Sequence, residues 1–498
     1  MKIGLILDTC TQSTAPDSHK QLVIDCASPA LAEQLLDASK LASWHFKSFT
    51  WANRPASAHA NTRTVALQYF RFGVGGAERV TLELMKLFLG MGLRVVLYTD
   101  EPETEGDYPV PEGVVRKHVT CGYDDSLGRI RFWLSEVKAE SIDVMVYNSW
   151  CAPSALIDCL GIQAAGAAFA FHAHSNAAYC MQIDDPPLLE RLRKVALIAD
   201  EVIGLSPADE VFWSAYSDNV YVSVNPIELY MREYAPRDSA PEGKTVLWCG
   251  RLAPEKRPEE AIKIMPHLLK LVPDAVLELV GSGDDALVND LHKLADDLGV
   301  AHAVRFEGFQ SDTISYYRAA NVMLLTSVVE GFPLALSEAM QQGVPGVIYE
   351  LPFLPLAQAG GVIQTPQLDC EQAALALAAI LVDEDLQSQL GAQARAAYER
   401  VCCIDFEAQW RDIFARARGA RKRSHEASPA DIMIDTMLYE HELRISKQDA
   451  RIKALTEERD ALARELSEQL DSKTYKIGRA VTAAPRALRN VVKRDSDR

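Results

Sequence analysis

Basic residues are scarce in this chain. Its 498 residues include 51 lysines and arginines against 69 aspartates and glutamates, a formal charge of -18. Nucleic acid as a general partner requires a basic footprint, which is missing, although a local basic patch is compatible with the balance. The ten cysteines run from Cys10 to Cys403 without one C-x-x-C pair, so neither a zinc site nor a disulfide framework is indicated. They read as reduced, partly buried thiols of a cytoplasmic protein. Long apolar runs are lacking as well. Residues 1–7 meet Asp8 too soon for the apolar core of a signal peptide. The most apolar region, residues 155–171, is interrupted by Asp158 and Gln163, which argues against a membrane span. What is present is an ordinary globular composition, 48% hydrophobic and 24% charged. The length exceeds what one core can serve and implies two domains with accessories.

Residues 1–60 read as an N-terminal extension of unclear role, with a strand from Lys20 and a helix from Ala30. From Thr64 a βαβ unit is plain: a strand over 65–69, a glycine-rich turn through Gly73, Gly75 and Gly76, an apolar helix, and a strand over 94–98. The turn lacks G-x-G-x-x-G spacing, which disfavours a nicotinamide cofactor. Further strands are expected at 143–147 and 167–171. The second ends in His172-Ala173-His174, at the carboxyl end of a parallel strand, where open α/β sheets bind ligands. Two histidines at i and i+2 of extended chain point the same way, but no third ligand stands at metal-site spacing. The segments 202–207 and 220–227 close this domain, and Asn225-Pro226 marks a hinge.

A second βα series opens with a strand over 245–249 and the turn Gly250-Arg251-Leu252-Ala253-Pro254-Glu255-Lys256. That turn places two cations at a helix start, which itself favours anions. Gly281 and Gly283 follow the next strand. Residues 322–348 then give a strand, a turn through Glu330 and Gly331, a helix with Pro333 in its first turn that holds Glu338, the stop signals Gly343 and Pro345, and another strand. Eight residues of helix rise about 12 Å, so Glu330 and Glu338 cannot share a proton; they suit different parts of one elongated ligand.

The E-x7-E pair with Gly331-Phe332-Pro333, together with Gly250-Arg251 and Glu255-Lys256, closely resembles the signature of family 4 (GT4) retaining glycosyltransferases, over about residues 64–415. The resemblance implies an α/β GT-B fold, two Rossmann-like domains facing a cleft. It also implies transfer of a hexosyl group from a nucleotide-diphosphate sugar to a cell-envelope glycan or lipid-linked acceptor, without a metal or other cofactor. Carried onto these positions, Arg251 and Lys256 would hold the diphosphate, Glu330 and the Gly331-Phe332 backbone the sugar, and Glu338 the ribose. His172 would approach the sugar from the first domain, with His174 as the alternative. Gly75, Gly76, Gly250, Gly281, Gly283, Pro333 and Leu334 would complete the donor site. Gly75 and Gly76 equally suit a plain strand-to-helix turn. Asp383-Glu384-Asp385 looks like the metal-binding D-x-D of GT-A enzymes but reads better as a helix start. A sugar-nucleotide epimerase of the same fold and a non-catalytic scaffold subunit of a polysaccharide-assembly complex are the competing functions.

The expected division, with the domain roles that the resemblance implies, is a Rossmann-like acceptor domain over 61–226, a Rossmann-like sugar-nucleotide domain over 227–417, a linker over 418–436, a coiled coil over 437–470 and a basic amphipathic tail over 471–498. The coil would make a homo-oligomer or fold as a single helix on the body. The tail, with seven cations and no acid over 473–494, suits either attachment to the anionic inner face of a membrane or disorder.

Overall fold

The computed structural model describes residues 20–419 apart from 41–45, 74, 177–178, 180–185, 240 and 352–353. The expected linker, coil and tail, residues 418–498, lie outside the described residues except for the last two of the final helix.

Two parallel sheets form two lobes. The first lobe orders its seven strands β5-β4-β3-β6-β7-β8-β9, where β3 is Thr64–Tyr69, β4 Arg94–Thr99, β5 Val114–His118, β6 Val144–Tyr147, β7 Ala168–His172, β8 Glu201–Gly204 and β9 Val220–Val222. The second orders six strands β12-β11-β10-β13-β14-β15, with β10 Thr245–Cys249, β11 Val276–Val280, β12 Val304–Gly308, β13 Val322–Leu325, β14 Gly346–Tyr349 and β15 Val362–Thr365. In each lobe the order reverses beside the first strand, between β3 and β6 and between β10 and β13. A crevice opens at such switch points, outside the carboxyl ends of the strands. Strands β3, β6, β7, β8, β13 and β14 are buried at every position, as expected when helices cover both faces.

The extension is part of this architecture. Strands β1 (Lys20–Asp25) and β2 (Phe46–Ala52) pair in parallel around the helix Leu31–Lys40. Beyond β2, Arg54 makes a bidentate ion pair with Asp200 at 2.7 and 2.8 Å. Asp143, at the start of β6, accepts from the Ser57 hydroxyl and the His59 amide. The boundary expected at residue 60 therefore falls inside the first lobe's packing.

A larger correction concerns the last helix, Phe406–Gly419. Chain order assigned it to the second domain, but its apolar face packs into the first. Phe406, Trp410, Ile413, Phe414 and Ala417 join Val65, Phe88, Val146 and Ala170 in one core. Arg416 pairs with buried Glu201 of β8 at 2.9 Å, and Ser223 donates to Gln409 at 2.7 Å. The chain thus crosses between lobes twice. It first does so near Asn225, whose side-chain amide donates to the Phe332 carbonyl at 3.3 Å.

One buried network fixes the first lobe. Asp158, which interrupts the apolar run, is fully buried and accepts from Arg129 Nε and Nη2 at 2.9 and 2.7 Å. It also accepts from Trp133 Nε1 at 2.6 Å and from the Tyr147 and Ser154 hydroxyls at 2.8 Å each. Arg129, equally buried, spends another donor on Asp100 at 2.7 Å.

Candidate functional site

The second-lobe half of the site begins with a short 3-10 turn, Pro254–Lys256, closed by Arg257 in the left-handed region at φ 47°. Thr326, just past β13, holds that turn. Its hydroxyl lies 2.9 and 2.8 Å from the Lys256 and Arg257 carbonyls and accepts from Trp248 Nε1 at 2.9 Å. The Val328 amide donates to the Glu255 carbonyl at 2.9 Å. The two motifs are thereby bonded together, although 74 residues separate Lys256 from Glu330. Lys256 Nζ sits 2.7 Å from each oxygen of Glu330, and Ser327 Oγ donates to the same carboxylate at 2.6 Å. Glu330 is buried while Lys256 is partly open, so the pair is held from the protein side and reachable from the cleft. Arg251 stands exposed beside it and pairs with Glu255 at 2.6 Å.

Behind this turn, Gly281 is required by close approach. At φ +142°, a Cβ there would lie 1.8 Å from the Gly250 carbonyl oxygen. Gly283 similarly backs Leu252, whose amide donates to the Ser282 carbonyl at 2.9 Å. Gly250, Gly281 and Gly283 therefore shape the cationic turn from behind.

Glu338 lies on the helix Leu334–Gln341. Pro333, expected in its first turn, is the residue just ahead of it, at φ -70°. The helix ends as expected: Gly343 takes φ +72°, its amide donates to Met340 and the Val344 amide to Ala339, a Schellman closure. Glu338 has partners of its own. Tyr317 donates to it at 2.8 Å, and Tyr230 makes a short hydrogen bond to its other oxygen. Tyr230 stands on the hinge helix Glu228–Met231, and the Arg79 guanidinium of the first lobe lies 4.9 Å from its ring centre. The two carboxylates thus serve separate sets of groups, as their spacing required.

The first-lobe wall is the carboxyl edge of β3, β6 and β7. His172 ends β7, buried, with Nδ1 3.0 Å from Asn148 Oδ1. Asn148 Nδ2 in turn donates to Thr81 Oγ1 at 3.0 Å, and Thr81 donates to the Ala77 carbonyl at 2.8 Å. That chain leaves the Asn148 oxygen only a donor to accept from, so His172 carries its proton on Nδ1 and presents Nε2 as an acceptor. Its ring also packs 5.8 Å from Trp410, on the helix that returns to this lobe. His174 lies 4.2 Å from His172 and 6.4 Å from Tyr69, ring centre to ring centre, and its Nε2 is buried with no hydrogen-bond partner among the described residues.

Burial pushes the His174 imidazole from the usual 6.5 down to about 3 and lowers His172 as well, His174 adding to the effect there. Both rings are neutral near pH 7. Between pH 6.5 and 3 the unfolded chain binds a proton at His174 that the folded one does not, so stability is full above 6.5 and is lost as pH falls. His174→Gln should therefore show a shallower fall of Tm than the parent between pH 7 and 5 in calorimetry; parallel curves would contradict the burial argument.

The lobes meet at the expected turns. A Cβ on Gly331 would lie 2.9 Å from Ser175 Cα and 2.7 Å from Leu205 Cδ1, so only glycine lets the turn approach the histidine segment. Gly76 also borders the second lobe, but a Cβ there would stand 3.4 Å from Leu334 Cδ1, an ordinary contact that does not demand glycine. Gly75 and Gly76 begin the helix Gly76–Gly90, and the Glu78 carboxylate folds back over Gly75. Arg251 from the second lobe is within electrostatic reach of Glu78 and Tyr69.

Comparison with known proteins agrees with this geometry. Residues 233–397 match the family described as glycosyl transferases group 1. The second lobe is a group 1 glycosyltransferase domain. It is similar to a D-inositol 3-phosphate glycosyltransferase of Streptomyces bingchenggensis, 33% identical over 194 residues, which are 36% of this chain and 43% of that protein. An Escherichia coli UDP-Gal:alpha-D-GlcNAc-diphosphoundecaprenol alpha-1,3-galactosyltransferase is 28% identical over 147 residues, 27% of this chain and 38% of that one. The chain thus spans less than half the length of these curated relatives. Among solved structures, sucrose-phosphate synthase from Thermosynechococcus elongatus superposes with a TM-score of 0.63 at 19% identity, over 72% of this chain and all of that one. Anabaena HepE in complex with UDP and glucose gives 0.58 at 17%, over 71% and 99%. At such identities the likeness establishes the fold, and the fold around the group 1 domain is GT-B.

Beside the residues expected from sequence, the group 1 domain and its partner lobe bring in Ser327, Thr326, Tyr230, Tyr317, Asn148, Glu78 and Arg79. Only Glu78 and Arg79 carried a signal, as neighbours of the glycine turn. The others are isolated polar residues whose partners lie far away in sequence. No described helix is long and apolar enough to cross a membrane.

Proposed function

We propose that the chain is a retaining glycosyltransferase that moves a hexosyl group from a nucleotide-diphosphate sugar to a glycan or lipid-linked acceptor of the cell envelope. The observation that carries the reading is the Lys256–Glu330 pair at 2.7 Å, which ties the cationic turn to the carboxylate turn at the mouth of the crevice. An ammonium has three donors; two engage Glu330, leaving one for a diphosphate oxygen. With Arg251 it would stabilise charge developing on the departing diphosphate, in a role a metal fills elsewhere. Glu330, held by Lys256 and Ser327, would orient the donor sugar's hydroxyls, and Glu338 would take the ribose hydroxyls in exchange for a tyrosine. His172 Nε2, a fixed acceptor, would meet a sugar hydroxyl from the first lobe. The resemblance to family 4 enzymes implies front-face substitution, in which the donor phosphate takes the acceptor's proton.

The test is incubation of the purified protein with UDP-, GDP- and ADP-hexoses, scoring nucleotide release with and without glycan acceptors. Release that depends on the sugar nucleotide and rises with acceptor is expected. Interconversion of free sugar nucleotides without release would indicate an epimerase, and inertness toward all of them a scaffold. Gly331→Ala should lower turnover on the order of 10²-fold, because a wedge between Ser175 and Leu205 misplaces one lobe's contribution by about 1 Å. Unchanged turnover with full stability would show that the turn need not approach the first lobe.

A further inference from the structure

The first-lobe wall contains a cluster that the reading above leaves without work: Tyr69, Arg71, Glu78 and His174. Glu78 is the third residue of the helix Gly76–Gly90, where free backbone N–H groups ordinarily favour an anion. Here the protein's own carboxylate occupies that place. Its oxygens lie 2.4 and 3.1 Å from where a Gly75 Cβ would stand, and it accepts from its own amide. Glu78 is 7% exposed, and burial raises its pKa, with Arg71 and Arg251 opposing. Arg251 belongs to the diphosphate side, which leaves exposed Arg71 to balance Glu78 and makes this wall close to neutral. Alongside, the buried His174 Nε2 has no described partner, and the Tyr69 ring borders it at 6.4 Å. A buried polar atom without a partner is costly unless a ligand or water satisfies it.

We propose that Glu78, with Tyr69 and His174, forms an acceptor subsite that takes a neutral, hydroxyl-bearing sugar and rejects a phosphorylated one. This rests on the glycosyltransferase reading and narrows its acceptor class. Glu78 accepts from a sugar hydroxyl, and His174 Nε2 pairs with a neighbouring one. A phosphate entering the same wall meets the Glu78 carboxylate, finds Arg71 already balanced by it, and finds the helix N-terminus already filled. Glu78 is an acceptor-binding residue; the donor diphosphate is left to Arg251 and Lys256.

The experiment is ligand-observed NMR on the full chain saturated with UDP, comparing octyl hexosides (gluco, galacto and manno) with the corresponding hexose 6-phosphates. The parent protein should bind at least one octyl hexoside and none of the phosphates. Glu78→Gln should weaken the neutral ligand about tenfold, the share of one hydrogen bond to a charged group. It should also admit the phosphates, because Arg71 is then unbalanced, and leave UDP affinity unchanged. Arg71→Ala, a change on the exposed surface, should keep neutral binding and exclude phosphate further. Phosphates binding the parent as well as the hexosides, or Glu78→Gln leaving both unaltered while only Tm falls, would reduce Glu78 to a helix cap and overturn the subsite. Absence of UDP binding with hexoside binding intact would instead refute the donor reading and leave the subsite standing.

Discussion

Lys256→Ala should lower nucleotide-sugar turnover by about 10² to 10³-fold, the loss seen when one fixed donor to a developing negative charge is removed. Two effects add. The leaving diphosphate loses a cation, and Glu330 loses the partner that holds both its oxygens at 2.7 Å, keeping only Ser327. A buried carboxylate without its cation tends to protonate or turn away. Glu330→Gln keeps the shape but weakens the pull on Lys256, so its loss should be smaller than that of Glu330→Ala. Because the two residues act as one unit, the double variant Lys256→Ala with Glu330→Ala should fall far short of the product of the single losses. Steady-state kinetics on the four proteins reads this directly. Losses that multiply would mean that the residues act on separate parts of the reaction.

The largest effect on stability is expected at Asp158, far from the crevice. Asp158→Ala strips five donors of one carboxylate at once. Arg129, fully buried, would keep only Asp100 and the Cys121 carbonyl. Breaking a buried pair on one side costs about 3–5 kcal/mol, because the remaining charge stays desolvated. Chemical denaturation should therefore show the first lobe unfolding at markedly lower denaturant. Asp158→Asn, which cannot accept from all five donors, should fall between. If Asp158→Ala were as stable as the parent, water would have to reach Arg129 through a core that is closed here.

The second lobe was the more legible half. Strands β10 and β13 fall at the residues read for them, because they are central and their apolar interiors are buried on both faces. The turns after them carry glycine, proline and paired charges at spacings that chance rarely supplies together. Asp383, read as a helix start, caps the helix Glu384–Cys402 by accepting from the Leu386 amide at 2.9 Å. Two kinds of feature stayed hidden. Edge strands β5 and β15 are half-exposed and mixed in polarity, so neither a continuous apolar run nor clean alternation marks them. The return of the Phe406–Gly419 helix to the first lobe is a long-range packing choice, and an amphipathic pattern does not say which core it will meet. The site shows the same division. Lys256 and Glu330 stand in strings, while Tyr230, Tyr317 and Asn148 reach their partners only through the fold.

The measurement that bears most directly on the account is a crystal structure with a sugar nucleotide bound. It should place the diphosphate within hydrogen-bond reach of Lys256 Nζ and the Arg251 guanidinium, the ribose on Glu338, and the hexose between the Glu330–Gly331 turn and His172. A nucleotide seated elsewhere, or a diphosphate that touches neither cation while the Lys256–Glu330 pair stays closed, would contradict it.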